Sequence, residues 1–182
     1  MEKKECQAFF REQMKALGFK TRGNYAHKMV EDDYLVGVWL DHASFSKAYY
    51  IVYGVIYMPD EKRLPFKGWV DWHRRFTFTT DPSDDLGQYP IENLNGKFGK
   101  MLTDLFEYEN RTFEDLGYSI KVNFEKRVLP VFDQSYVLDI YRNDWIEFRR
   151  VPYDTVRKLA GLMGIDAEKV IEFRDSRLTK HP

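Results

Sequence analysis

The chain has 182 residues, 43% of them hydrophobic and 16% aromatic, which is enough for one domain with a substantial core. Its 28 Lys and Arg against 29 Asp and Glu leave a formal net charge of −1, which excludes a general electrostatic pull toward nucleic acid or anionic membranes. A single cysteine, Cys6, excludes an intramolecular disulfide. No window approaches the roughly 18 apolar residues of a membrane span, and "MEKKECQAFF" holds no apolar run of signal-peptide length, so the expected setting is the reducing cytoplasm with no membrane partner.

Taken in chain order, Cys6, Phe9, Phe10, Met14 and Leu17 fall at steps of three and four and predict an amphipathic helix. On that stripe Cys6 reads as a small core residue rather than a nucleophile. Gly18 follows as the helix stop, and Phe19 opens an extended run in which Lys20 and Arg22 alternate with Phe19 and Thr21. Glu31-Asp32-Asp33 is a polar turn before the strand "YLVGVWLDH". "AYYIVYGVIYM" is the next strand; neither of its faces is polar, so it is expected to be central and covered on both sides.

Pro59, Pro65 and Gly68 mark a loop, after which "WHRRFTFTT" alternates as a strand over residues 72–80. Trp72, Phe76 and Phe78 share one face of that strand, and His73, Arg75, Thr77 and Thr79 the other. Residues 81–99 are a long connection without a readable pattern, and "KMLTDLFEYE" is ambiguous between helix and strand. Phe113, Leu116, Ile120, Phe124 and Val128 predict a helix capped by Thr112 or Asn110 and ended by Pro130. Two short helices, about 154–163 and 167–175, close the chain around Gly164.

Helix, strand meander, then helices is the order of an α+β fold rather than of alternating βαβ units. The expectation is a single domain over 1–182, with a mainly antiparallel sheet of about four to five strands and helices packed on one face. Within it, 1–135 forms the core and 136–182 a C-terminal helical extension packed on it.

The N-terminal half also resembles a bacterial domain family catalogued as domain of unknown function 4304. The resemblance covers roughly residues 5–135 and rests on "LGFKTRGNYAHK", "YLVGVWLDHASF", "YYIVYGVIYMP" and "WHRRFTF", with the Gly-Phe-Lys junction at 18–20 and the strand order as its most telling parts. It implies a small α+β domain and a protein-binding role, with immunity proteins that neutralise toxins as one form of it. It supplies no catalytic residues to carry over.

"NGKFGKM" at 95–101 fails as a phosphate loop, because Leu94 stands where the first glycine belongs and Met101 where the magnesium-binding hydroxyl belongs. Gly96-Lys97-Phe98-Gly99 matches the backbone-clamping loop of a KH domain, but Asp104, Glu107 and Glu109 follow it. The segment 154–175 has the offsets of a helix-turn-helix, with Ala160, Gly164 and Val170 in place. Its groove-facing candidates would be Asp166, Ala167, Glu168, Ile171 and Glu172, a surface of the wrong charge for phosphate.

His27, His42 and His73 beside Asp41 and Asp71 lack metal-ligand spacing, so no metal and no cofactor is expected. Asp71 and His73 share a strand face and form the one candidate acid–imidazole pair. Ser44 and Ser46 lack a glycine elbow, and Glu107 with Glu109 reads as solvated charge.

The binding-surface candidates are Lys20, Arg22, His73, Arg75 and Thr77, expected on one side of the sheet, in a chain with twelve Tyr and four Trp. The leading expectation is a non-enzymatic cytoplasmic protein-binding domain, an immunity or regulatory partner of another protein. A small-ligand or catalytic pocket would instead require His73 or Arg75 in a cleft with a converging carboxylate. A nucleic-acid role would use the helix-turn-helix-like segment, or a basic patch joining residues 15–28 to 62–75.

Overall fold

The computed structural model describes residues 1–57, 71–81, 83–89 and 101–178. The expected loop around Pro59 and Pro65 and the Gly96–Gly99 motif lie outside them. Helix α1 (Lys3–Ala16) starts at a reciprocal capping box between Glu2 and Glu5 and buries Cys6, Phe10 and Met14, three members of its apolar stripe. Gly18 adopts φ 80°, which turns the chain so that Phe19 N–H donates to Met14 O at 3.0 Å.

The extended run after Gly18 is a hairpin rather than one strand. It comprises β1 (Lys20–Arg22) and β2 (Tyr25–Glu31), folded back at Gly23, whose φ of 60° a side chain would strain. β3 (Tyr34–His42), β4 (Tyr49–Tyr57) and β5 (Trp72–Arg75) complete a five-stranded antiparallel sheet in the order β1-β2-β3-β4-β5. Along β4 every residue is buried except the half-buried Tyr50, in line with a strand apolar on both faces.

The strand expected over 72–80 breaks in two. Pairing with β4 ends where Phe76 N–H donates to Ile51 O at 2.7 Å, and β6 (Phe78–Thr79) pairs instead with β7 (Leu102–Thr103). The cause is a side chain from a helix. Asn123 Oδ1 accepts from Thr77 N–H at 2.9 Å while its Nδ2 donates to Thr77 O at 2.8 Å, so one amide replaces the missing strand ladder. Arg127 Nη1 donates to Thr77 Oγ1 at 2.7 Å, and Thr77 is completely buried. Thr77 is therefore withdrawn from the binding-surface candidates, and Thr79, also buried, does not share a polar face with His73 and Arg75.

Helix α2 (Phe113–Asn123) is capped by Thr112, whose hydroxyl accepts from Asp115 N–H at 3.1 Å while Asp115 accepts from Thr112 N–H at 2.9 Å. The helix widens into a π turn over Phe124–Val128 and tightens to a 3-10 turn over Leu129–Phe132, where Pro130 interrupts it. Next come α3 (Gln134–Asn143), which the sequence pattern did not announce, and a 3-10 segment Trp145–Arg150 capped by Asp144. The chain then enters α4 (Tyr153–Met163) and α5 (Ala167–Leu178), joined through Gly164 at φ 66°.

One face of the sheet carries these helices. Val36, Val38, Ile51, Tyr53, Val55 and Trp72 pack in a single hydrophobic cluster with Phe10 and Met14 of α1, Leu116 and Ile120 of α2, Tyr141 of α3, and Val156 and Leu159 of α4. Residues beyond 135 thus contribute to the same core as the rest. Two buried hydroxyls tie the layers together: Tyr34 donates to Val131 O at 2.5 Å and Tyr141 to Asp71 O at 2.8 Å. Among the described residues no helix is long and apolar enough to cross a membrane.

Candidate functional site

Register decides what the other face of the sheet presents, because directly opposed residues in an antiparallel sheet point the same way. One cross-strand row reads Lys20, His27, Gly37, Gly54, His73, and the row two residues along reads Arg22, Tyr25, Trp39, Val52, Arg75. Four of the five sequence candidates, Lys20, Arg22, His73 and Arg75, are thereby brought to one face, opposite the helices. The sequence reading had missed Tyr25, His27, Trp39 and Tyr50, which belong to the same surface. The β1–β2 hairpin is what aligns them, and its signal is Gly23-Asn24 between two extended runs.

Glycines occupy two positions of the first row, Gly37 and Gly54, and both are buried. A Cβ on Gly54 would stand 2.4 Å from Trp72 O, so close approach of β5 requires glycine there. Beside Gly37 the nearest groups are ordinary contacts, including the Trp39 ring, whose centroid lies 6.4 Å from that of His73. The half-buried indole therefore lies over the glycine row. Leu35, Val52 and Ile56 on this face are buried, whereas Tyr25, Trp39 and Tyr50 are half-buried and Arg75 is exposed.

Arg75 is exposed but anchored. Its guanidinium stacks 3.7 Å from the Tyr50 ring centroid and donates to Asp104 Oδ2 at 2.6 Å. Asp41 is a carboxylate on the same face, and together with burial it raises the Tyr25 phenol above its usual range, burial being the larger cause. Lys20 and Arg22 at the β1 edge are exposed.

A second feature lies along the edge of β5. A cleft of about 200 Å³ opens between Asp71–Arg74 and the segment holding Ile146, Glu147 and Arg149. His73 therefore does line this cleft with carboxylates, and Arg75 is not among the residues that line it. Asp71 is 8% exposed; its Oδ2 accepts from Tyr57 N–H at 2.7 Å, and burial pushes its carboxyl up to about 6 despite that bond and the Lys158 charge. Arg74 is held by Glu147 in a two-pronged ion pair at 2.5 and 3.3 Å, donates to His73 O, and stacks on Trp72.

The remaining candidates separate. Glu107 accepts from Asn110 at 3.1 Å and Glu109 from Lys47 at 2.6 Å, so the two carboxylates do not act as a pair. His42 packs edge-on against Tyr49, on the face opposite Asp41. Among the described residues no group of three or more His, Cys, Asp or Glu gathers to hold a metal. Cys6 is buried against the core, which pushes its thiol up to about 12. In the helix-turn-helix-like segment, Ile171 is in the core instead of facing outward, and Asp166 caps α5 by accepting from Glu168 N–H at 3.0 Å.

The fold and this surface define an α+β domain with one helix-covered and one cationic, aromatic sheet face. No family model, curated protein or solved structure matches the chain.

Proposed function

We propose that the chain is a non-enzymatic protein-binding module, an immunity or regulatory partner, that docks an acidic surface of another protein on Lys20, Arg22, Tyr25, Trp39, Tyr50 and Arg75 of the sheet face opposite the helices. The observation that carries this reading is the register: Lys20, Arg22, His27, His73 and Arg75 interleave with Tyr25, Trp39 and Tyr50 on one side. Aromatic rings and arginines are the residue types that anchor protein interfaces, and rings that are half-buried beforehand lose little freedom on binding. The spacing favours binding over proton transfer. His27 and His73 are three strands apart in their row, about 14 Å at ~4.8 Å per strand, too far to act on one reacting atom.

The test is recovery of the tagged chain from its own cells with and without nuclease, with a photo-crosslinking residue at Tyr25 to map the contact. The expected result is one nuclease-resistant protein, crosslinked through an acid-rich segment and weakened about tenfold or more by Trp39→Ala or Arg22→Glu. Lys169→Glu on α5, away from the face, should leave binding unchanged. Recovery that vanishes with nuclease would overturn the reading in favour of nucleic acid. A crosslink confined to residues off the face would overturn it as well.

A further inference from the structure

We infer that the cleft between β5 and Trp145–Arg150 is a binding site for a small zwitterion of the amino-acid type, its ammonium held by Asp71 and its carboxylate by Arg149. The inference stands independently of the sheet-face reading, since it uses the edge of β5 and the 3-10 segment rather than the face opposite the helices.

The argument starts from what each charged group already does. Asp71 is more than nine-tenths buried, and only its Oδ2 is engaged, by Tyr57 N–H; Oδ1 has no partner among the described residues. Lys158, whose charge reaches Asp71, is bonded to Asp33. Arg74 is fully committed to Glu147, to His73 O and to the Trp72 ring. Arg149, exposed on the opposite wall, has no hydrogen bond or ion pair among the described residues. One wall thus offers an unmet negative group and the other an unmet positive one, with Trp72 and Ile146 as apolar surface in the same cleft.

A buried carboxylate costs stability unless it is paired. Asparagine at this position would accept from Tyr57 N–H equally well without that cost, so the backbone bond does not explain the charge. A ligand ammonium on Oδ1 does. The cavity, at about 200 Å³, is smaller than the ~300–1,000 Å³ of sites for drug-sized molecules, which restricts the occupant to a small one.

Ammonium beside Asp71 favours its ionised form, so binding releases a proton near pH 6. The groups that face Asp71 are Tyr57, Tyr141 and Lys158 from the core side and His73, Arg74, Glu147 and Arg149 in the cleft.

The experiment is calorimetry of the intact chain with L-alanine, ethylamine and propionate, alongside carbon-13 titration of the aspartate carboxyls. L-alanine should bind saturably and lower the Asp71 titration midpoint. Ethylamine and propionate, each lacking one charge, should bind about tenfold or more weakly. Asp71→Asn should remain folded and lose L-alanine binding, and Arg149→Ala should erase the preference for L-alanine over ethylamine. Three results would each overturn the inference: no saturable binding with an unmoved Asp71 midpoint, L-alanine binding retained by Asp71→Asn, or ethylamine binding as tightly as L-alanine.

Discussion

Asp71→Asn isolates the cost of one buried charge. In the folded chain the Asp71 carboxyl is pushed up to about 6, against 3.8 when exposed. Below pH 3.8 both states hold the proton and the group contributes nothing. Between 3.8 and about 6 the folded state keeps a proton that the unfolded state has released, so stability falls as pH rises. Above about 6 both states are ionised and the loss is constant, ~3 kcal/mol at 1.36 kcal/mol for each pH unit between the two values. Urea denaturation of both proteins from pH 4 to 8 reads this directly. The asparagine variant should gain on the parent as pH rises, by ~2.5 kcal/mol between pH 4 and 8, with a plateau above about pH 6.5. Asp81, Asp85 and Asp133, held low by hydrogen bonds from Ser83, Tyr118 and Ser135, slope the other way, but they are common to both proteins and cancel in the difference. A difference that does not vary with pH would refute the reasoning, since it would mean that water reaches Asp71 and its carboxyl titrates normally.

Other substitutions test the architecture. Asn123→Ala strips both backbone partners from the buried Thr77 and should cost about 3 kcal/mol in denaturant midpoint analysis, far more than an ordinary helix substitution. Gly54→Ala pushes a methyl into Trp72 O and should destabilise by ~1–3 kcal/mol, while Gly37→Ala, with only ordinary contacts nearby, should stay within ~1 kcal/mol; equal effects would refute the close-approach account. Thr112→Ala removes the α2 cap and should lower stability by ~1 kcal/mol, measured by thermal melting. Cys6 should react with an aromatic disulfide reagent at pH 8 only as fast as the chain opens, and at a normal thiol rate in denaturant.

Local signals in the sequence were readable where they were self-contained. The α1 stripe ending at Gly18, the Thr112 cap and the αL turn at Gly164 each depend on neighbours within four residues, and each appears where its pattern placed it. The break at Phe76-Thr77 was not readable, because its cause, Asn123, is 46 residues away, and "WHRRFTFTT" alternates as a strand apart from Arg74. Helix α3 was not legible because its buried stripe is only the pair Val137 and Tyr141, one step of four residues and too short to establish a period.

The site followed the same logic at longer range. Alternation places Lys20 with Arg22 and His73 with Arg75, but whether the pairs share a side depends on the number of strands between them and their register. The hairpin at Gly23 adds a strand, and the ladder through Gly37 and Gly54 carries the parity across to β5. Thr77 dropped out by the same rule, since parity holds only while pairing continues, and pairing stops at Phe76. His73 sits where the two consequences meet: its side chain belongs to the face opposite the helices, and its strand edge forms the wall of the cleft. A partner docked over Trp39 and a small ligand between Asp71 and Arg149 would therefore share one four-residue strand. Coupling between them would have to pass through β5, whose approach to β4 is set by Gly54. On that account Gly54→Ala should weaken both the face-mapped protein complex and L-alanine binding. Arg22→Glu should weaken only the first and Arg149→Ala only the second. Loss of both on Arg22→Glu would contradict the separation of the two sites.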